Sequence, residues 1–205
     1  MLGRTIENNK VKMVCKIVSG FTYSHEVFGE KFYLFDGEVV RKSGQEDIIP
    51  VMVSERLLDV TMDLQERFVR VEGQFRSYNK PDGDRKHLIL SVFASEIEVL
   101  ESEHIEEQQI YLNGYICKRP IYRTTPLGRE IADVLLAVNR PNIKSDYIPC
   151  ICWGRNAAYV AELPVGTNIE VVGRIQSRQY IKRLSDTESE SRTAYEVSIH
   201  MFKQI

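Results

Sequence analysis

The 205-residue chain carries 27 Lys and Arg against 29 Asp and Glu, is 43% hydrophobic, and has 12 Gly and 7 Pro spread along its length. This is the make-up of an ordinary globular protein, and it excludes a disordered, collagen-like or cysteine-stapled chain. No apolar run approaches the roughly 18 residues needed to span a bilayer, and no apolar core follows Met1-Leu2-Gly3-Arg4-Thr5, so neither membrane nor secretory signal is expected and the chain is read as cytoplasmic.

Most segments alternate apolar and polar residues with period two, the pattern of half-buried strands. Lys10 to Ile17 reads as a first strand, Lys31 to Arg41 as a second and Ile48 to Val53 as a third. Glu55 to Gln65 reads as a helix, Phe68 to Tyr78 as a fourth strand and His87 to Val99 as a fifth. The charged stretch Glu101 to Gln109 lacks apolar periodicity and reads as a linker. The same order then returns: strands at Ile110 to Ile116, Glu130 to Arg140 and Tyr147 to Trp153, a helix from Arg155 to Leu163 stopped by Pro164 and Gly166, and strands at Asn168 to Ile181 and Thr193 to Phe202. Leu184 to Ser191 is polar and unpatterned and reads as a mobile hairpin loop.

The return is also visible in the residues. Asp47-Ile48-Ile49-Pro50 recurs as Asp146-Tyr147-Ile148-Pro149, Gly29 as Gly128, and Val71-Glu72-Gly73-Gln74-Phe75-Arg76-Ser77 as Val171-Val172-Gly173-Arg174-Ile175-Gln176-Ser177. A spacing of 99 to 100 residues is too long for a solenoid repeat and long enough for a small domain. Five strands with a helix between the third and fourth is the order of an OB-fold, a Greek-key barrel that commonly binds oligonucleotides or oligosaccharides. The expectation is therefore an all-β chain of two tandem OB-folds, each with one short helix, occupying residues 1–105 and 106–205.

Charge separates the copies. Residues 1 to 105 carry 14 basic and 18 acidic residues, whereas Gln108 to Arg183 carry 11 basic and 5 acidic ones, a net of +6. Only the second copy is electrostatically suited to a polyanion. Cys15, Cys117, Cys150 and Cys152 lie inside apolar runs without metal-ligand spacing, and His25, His87, His104 and His200 are scattered. No cofactor, metal or catalytic residue is expected, and the chain is read as not an enzyme.

On the third strand of the second copy, Ile148, Cys150 and Cys152 share one face and Tyr147, Pro149, Ile151 and Trp153 the other. The small apolar set suits a barrel interior, which leaves Tyr147 and Trp153 outside. On the fourth strand, Ile169, Val171, Gly173 and Ile175 alternate with an outward row ending in Arg174, Gln176, Arg178 and Tyr180. Aromatic rings that stack on bases, interleaved with guanidinium groups that neutralise phosphates, form a single-strand binding surface. The alternative is that these rings pack against protein, in an OB-fold interaction or assembly module with weak nucleic-acid binding. The first copy has Ile48, Ser54 and Lys80 at the positions of Tyr147, Trp153 and Tyr180 while Tyr78 and Arg76 remain outward, so it reads as mainly structural or interfacial, with a weaker role in binding.

Leu112-Asn113-Gly114, Pro126-Leu127-Gly128, Trp153-Gly154-Arg155-Asn156-Ala157-Ala158 and Val172-Gly173-Arg174-Ile175-Gln176-Ser177-Arg178-Gln179-Tyr180 resemble the bacterial single-stranded DNA-binding protein family. The resemblance covers nearly all of residues 108 to 202. It implies sequence-tolerant binding of single-stranded DNA in replication, recombination or repair. Tyr147, Trp153 and Tyr180 take the base-stacking positions, and Arg123, Arg155, Arg174 and Arg178 are candidate phosphate contacts. Members of that family present four OB-folds, so a chain with two is expected to work as a homodimer, in a bacterium, a phage or a mobile element. The family's acidic, aromatic C-terminal tail has no counterpart in Met201-Phe202-Lys203-Gln204-Ile205, and recruitment by such a tail is not expected.

Overall fold

The computed structural model describes residues 7–82, 85–101, 107–141, 144–183 and 189–205. Its first half contains β1 (Asn9–Ile17), β2 (Thr22–Val27), β3 (Glu30–Val40), β4 (Glu46–Ser54), β5 (Phe68–Asp82) and β6 (Arg85–Val99). Its second half contains β7 (Glu107–Ile116), β8 (Ile121–Thr124), β9 (Glu130–Asn139), β10 (Ser145–Trp153), α1 (Arg155–Ala161), β11 (Asn168–Arg183) and β12 (Ser189–Gln204).

The strands join in the order β2-β3-β4-β6-β5-β1-β7-β11-β12-β10-β9-β8, and further pairings of β3 with β1 and of β7 with β9 close each half on itself. Each half has one parallel pair, β4 with β6 and β10 with β12, among otherwise antiparallel neighbours. These are two OB-folds in one chain. Alternation does the local work. Val11, Met13, Cys15 and Ile17 are buried in the first barrel, and Ile110, Leu112 and Ile116 are buried in the second. Cys150 and Cys152 fill the second barrel; burial pushes both thiols up, Cys152 to about 12, which keeps them neutral.

Three expectations are corrected. Glu55 to Gln65 is a run of turns, not a helix. Asp59 Oδ1 accepts from the Thr61 amide at 3.0 Å and hydroxyl at 2.6 Å, and Asp63 Oδ1 accepts from the Gln65 amide at 3.2 Å. Such local side-chain bonds compete with helical ones. Leu64 is buried, and Leu58 and Val60 pack on the core without a helical stripe.

The linker is shorter than expected, because Glu107, Gln108 and Gln109 belong to β7; residues 102–106 lie outside the described residues. Gln108 looks like linker because it is polar, but its amide clamps β11, donating to the Ile175 carbonyl at 2.7 Å and accepting the Ile175 N–H at 2.8 Å. Asn9 does the same to Phe75, at 2.7 and 2.9 Å. Ser189 to Ser191, expected in the mobile loop, are paired within β12, while residues 184–188 lie outside the described residues. The short strands β2 and β8 escape sequence reading because they are almost wholly exposed and show no alternation.

The repeated motifs prove to be architectural. Gly29 and Gly128 sit at φ 76° and 74° in the turns that follow β2 and β8, a left-handed geometry that favours glycine. At Gly73 and Gly173, each at a bulge, a Cβ would lie 2.2 Å from a carbonyl oxygen of the neighbouring strand, Phe93 and Ser198 respectively.

The Asp and Ser repeats join the two copies. Asp47 accepts from the Ser177 amide at 2.7 Å and is held by Arg41 through two 2.6 Å bonds. Reciprocally, Asp146 accepts from the Ser77 amide at 2.6 Å and is gripped by Arg140. The two serine hydroxyls accept the Ile48 and Tyr147 amides at 3.1 and 2.8 Å. Between these latches β1 pairs with β7, and Val11 faces its own repeat partner Ile110, so a local two-fold relates the barrels.

Candidate nucleic-acid interface

A groove of about 1130 Å³ opens between the copies. One wall is the turn after β3, contributing Arg41, Lys42, Ser43 and Gln45. The other is the β8–β9 hairpin, with Arg123, Thr125 and Arg129. The floor is the outer face of the second barrel. There the period-two alternation of β11 aligns Arg174, Gln176 and Arg178, while β10 supplies Ile151 and Trp153 and β12 supplies Glu196, Ser198 and His200. Six cationic side chains thus line the groove against two carboxylates, Glu107 and Glu196.

Trp153 ends β10 and is half-buried; its indole N–H donates to Ser198 Oγ at 3.1 Å, which fixes the ring's orientation in the groove. Arg123 is held at Asp133, with Nε to Oδ2 at 2.7 Å and Nη2 to Oδ1 at 3.1 Å, which raises the guanidinium pKa. Arg41 is likewise committed to Asp47. Arg174 is in the opposite condition. Its buried Nε has no hydrogen-bond partner among the described residues, and burial together with nearby Arg41 lowers its pKa. Burial and Arg174 also lower the pKa of His200. Lys42, Arg129, Arg174 and Arg178 take part in no ion pair among the described residues. An anion entering the groove would supply what the geometry lacks.

Of the seven residues expected from sequence, the groove gathers Trp153, Arg123, Arg174 and Arg178. The other three lie outside its lining. Tyr180 is 37% exposed further along β11, with Arg178 Cζ 5.9 Å from its ring centroid. Arg155 is exposed at the first residue of α1. Tyr147 is 44% exposed, and its amide bonds to Ser77, so it stands at the second latch beside the first copy.

Arg41, Lys42, Arg129 and His200 were missed. Arg129 had a signal in the second copy's basic excess and His200, beyond the counted stretch and neutral, had none; Arg41 and Lys42 belong to the acidic copy and reach the groove only through the pairing of β1 with β7 and the Asp47 latch.

The family model of the single-strand binding protein family matches residues 107–204. Single-stranded DNA-binding protein B of Bacillus subtilis (strain 168) is 38% identical over 79 residues, covering 35% of this chain and 70% of that protein. Single-stranded DNA-binding protein 3 of Listeria innocua is 38% identical over 79 residues, covering 35% of this chain and 49% of that protein. The chain spans about half the length of the first curated relatives it matches. The wild-type single-stranded DNA binding protein from Thermus aquaticus superposes with a TM-score of 0.74 at 20% identity, covering 96% of this chain and 92% of that one, so the shared fold extends across both copies.

Proposed function

We propose, on the premise that the chain belongs to the single-strand binding protein family, that it binds single-stranded DNA with little sequence preference and without catalysis. The observation that carries this reading is the meeting of Trp153 with six cationic side chains in one groove. Bases stack on Trp153, and on Tyr147 and Tyr180 beyond the groove. Arg174 and Arg178, which take part in no ion pair among the described residues, take phosphates first. Arg123 contributes charge while remaining tethered to Asp133, and Arg155 meets the strand outside the groove. The division of labour runs along residues 1–105 and 106–205, with the second copy as the principal binding unit. The reading places the chain on cytoplasmic DNA during replication, recombination or repair.

Titration with oligo-dT should quench Trp153, the only tryptophan, and Trp153→Ala should cost about 1–3 kcal/mol of binding free energy. Equal affinity for duplex and single strand would overturn the reading. Absence of quenching with intact self-association would favour a protein-assembly module. The working unit is a homodimer presenting four barrels, since one chain encodes two and closed two-fold association is the commonest for identical chains. Light scattering is expected to give twice the mass of one chain with and without DNA; a monomer that binds fully would refute this.

A further inference from the structure

The floor of the groove holds a carboxylate where a surface built only for phosphates would hold none. Glu196 stands on β12 two residues from Ser198, and both side chains line the floor. Ser198 Oγ accepts the Trp153 indole N–H, and two strand residues span about 7 Å, so the anchor of the ring and the carboxylate are neighbours on one strand face. Glu196 is paired across the hairpin with Gln176 of β11, whose Nε2 donates to Glu196 Oε1 at 2.7 Å. Gln176 is buried, at 7% exposure, and is the carboxylate's one side-chain hydrogen-bond partner among the described residues. The carboxylate is thus held in place while most of its acceptor capacity stays open. Arg41 on one wall and Arg123 on the other have their pKa raised chiefly by hydrogen bonds to Asp47 and Asp133, and further by the charge of Glu196, which therefore acts on both walls.

The barrel does not require this pair. The bulges at Gly73 and Gly173 put the two long hairpins in one register, in which Gln176 opposite Glu196 corresponds to Arg76 opposite Ser91. Ser91 is buried, at 3% exposure, so the position folds without a carboxylate. Charge balance does not require it either. Arg41 and Arg123 already have Asp47 and Asp133, and Glu196 forms no ion pair among the described residues. A phosphate passing over Glu196 would meet like charge. The phosphates are therefore drawn to Arg174, Arg178 and the wall cations, which leaves the bases to face the indole and the carboxylate. An ionised carboxylate can only accept hydrogen bonds. Cytosine, adenine and guanine each offer it an exocyclic amino group, whereas thymine has a carbonyl oxygen where cytosine has its amino group.

We propose that Glu196, positioned by Gln176, reads the edge of the base stacked on Trp153 and gives the groove a preference for bases with an exocyclic amino group over thymine. This rests on the reading of the groove as a single-strand site and deepens it. The order of bases stays free, because every base has a π-face for the indole, while their composition does not. Glu196 determines the preference by touching the base; Gln176 is a positioning residue, since it acts through the carboxylate. The preference has a repulsive side as well as an attractive one, because the thymine oxygen would face the carboxylate with no proton between them.

The test is Trp153 quenching by oligo-dC, by oligo-dT and by an oligonucleotide of deoxycytidine doubly methylated on its amino nitrogen, all of one length and at mildly alkaline pH, for the wild type and Glu196→Gln. The ratio of oligo-dC to oligo-dT affinity is expected to be about ten-fold higher in the wild type than in the variant, within the discrimination of one good base-edge contact. Glutamine both donates and accepts, so it suits either base. Oligo-dT affinity should rise in the variant as the carboxylate's charge is removed. Methylation of the amino group should erase the wild type's preference and cost little in Glu196→Gln, a comparison that does not depend on the variant's folding. Equal gains for oligo-dC and oligo-dT in the variant would show that Glu196 acts by charge alone and overturn the proposal. Equal losses, or methylated cytosine bound by the wild type as tightly as cytosine, would overturn it too. Quenching without base preference removes only this inference, whereas no quenching by any oligonucleotide would remove the parent reading as well.

Discussion

Alanine at Asp47 or Asp146 is expected to destabilise the folded chain by about 3–5 kcal/mol, the usual cost of removing one partner of a buried ion pair. Both aspartates are essentially without solvent exposure, at 0% and 1%. Each carboxylate accepts from a backbone amide of the other copy and from a guanidinium of its own. Deleting it strands Arg41 or Arg140 beside unsatisfied backbone donors. Arg41 and Arg140 both have their pKa raised, chiefly by the hydrogen bond to that aspartate, and removing it leaves burial acting against the cation. Ser77→Ala or Ser177→Ala removes a hydroxyl that accepts one backbone amide and donates to the latch aspartate at 3.4 Å, and should cost less, about 1–3 kcal/mol. Urea unfolding monitored by circular dichroism checks both magnitudes. A loss below about 1 kcal/mol for either aspartate would mean that the seam is held by the pairing of β1 with β7 alone.

Single-strand affinity is expected to fall about fifty-fold between about 50 and 200 mM monovalent salt. The estimate follows from the four groove cations without an ion pair among the described residues, Lys42, Arg129, Arg174 and Arg178. Each phosphate neutralised on a single strand contributes roughly −0.7 to the slope of log affinity against log salt, which gives about −3 for four. Arg41 and Arg123 are left out because they exchange one carboxylate for another anion and release little. Arg174→Ala should flatten the slope by about 0.7 and lose more affinity than Arg155→Ala, because Arg155 stands outside the groove. Fluorescence titrations of Trp153 at several salt concentrations provide the measurement. A slope near zero would show that the groove cations do not meet phosphate.

The period-two alternation of Val11, Met13, Cys15 and Ile17, and of Ile169, Val171, Gly173 and Ile175, determined by itself which residues are strands and which face is core. That information is local: consecutive side chains of a strand point to opposite faces, so burial on one side leaves its mark in neighbouring residues. The repeat of Asp47-Ile48-Ile49-Pro50 likewise fixed the duplication, and Trp153, Arg174 and Arg178 were legible as outward because their strands were. The turns over Glu55 to Gln65 were not, since side-chain bonds such as Asp59 to Thr61 override an apolar pattern that also suits a helix. Nor were β2 and β8, which bury too little to alternate. Tertiary structure alone decided what lies opposite the outward faces. Asp47 meets Ser177 across 130 residues, carrying Arg41 and Lys42 from the acidic copy into the basic groove. Phe32 and Phe93 become neighbouring rings only when β3 and β6 are brought to either side of β4. A pairing between strands far apart in the chain leaves no trace in the period of either one, so the face they build together appears only when the barrel closes.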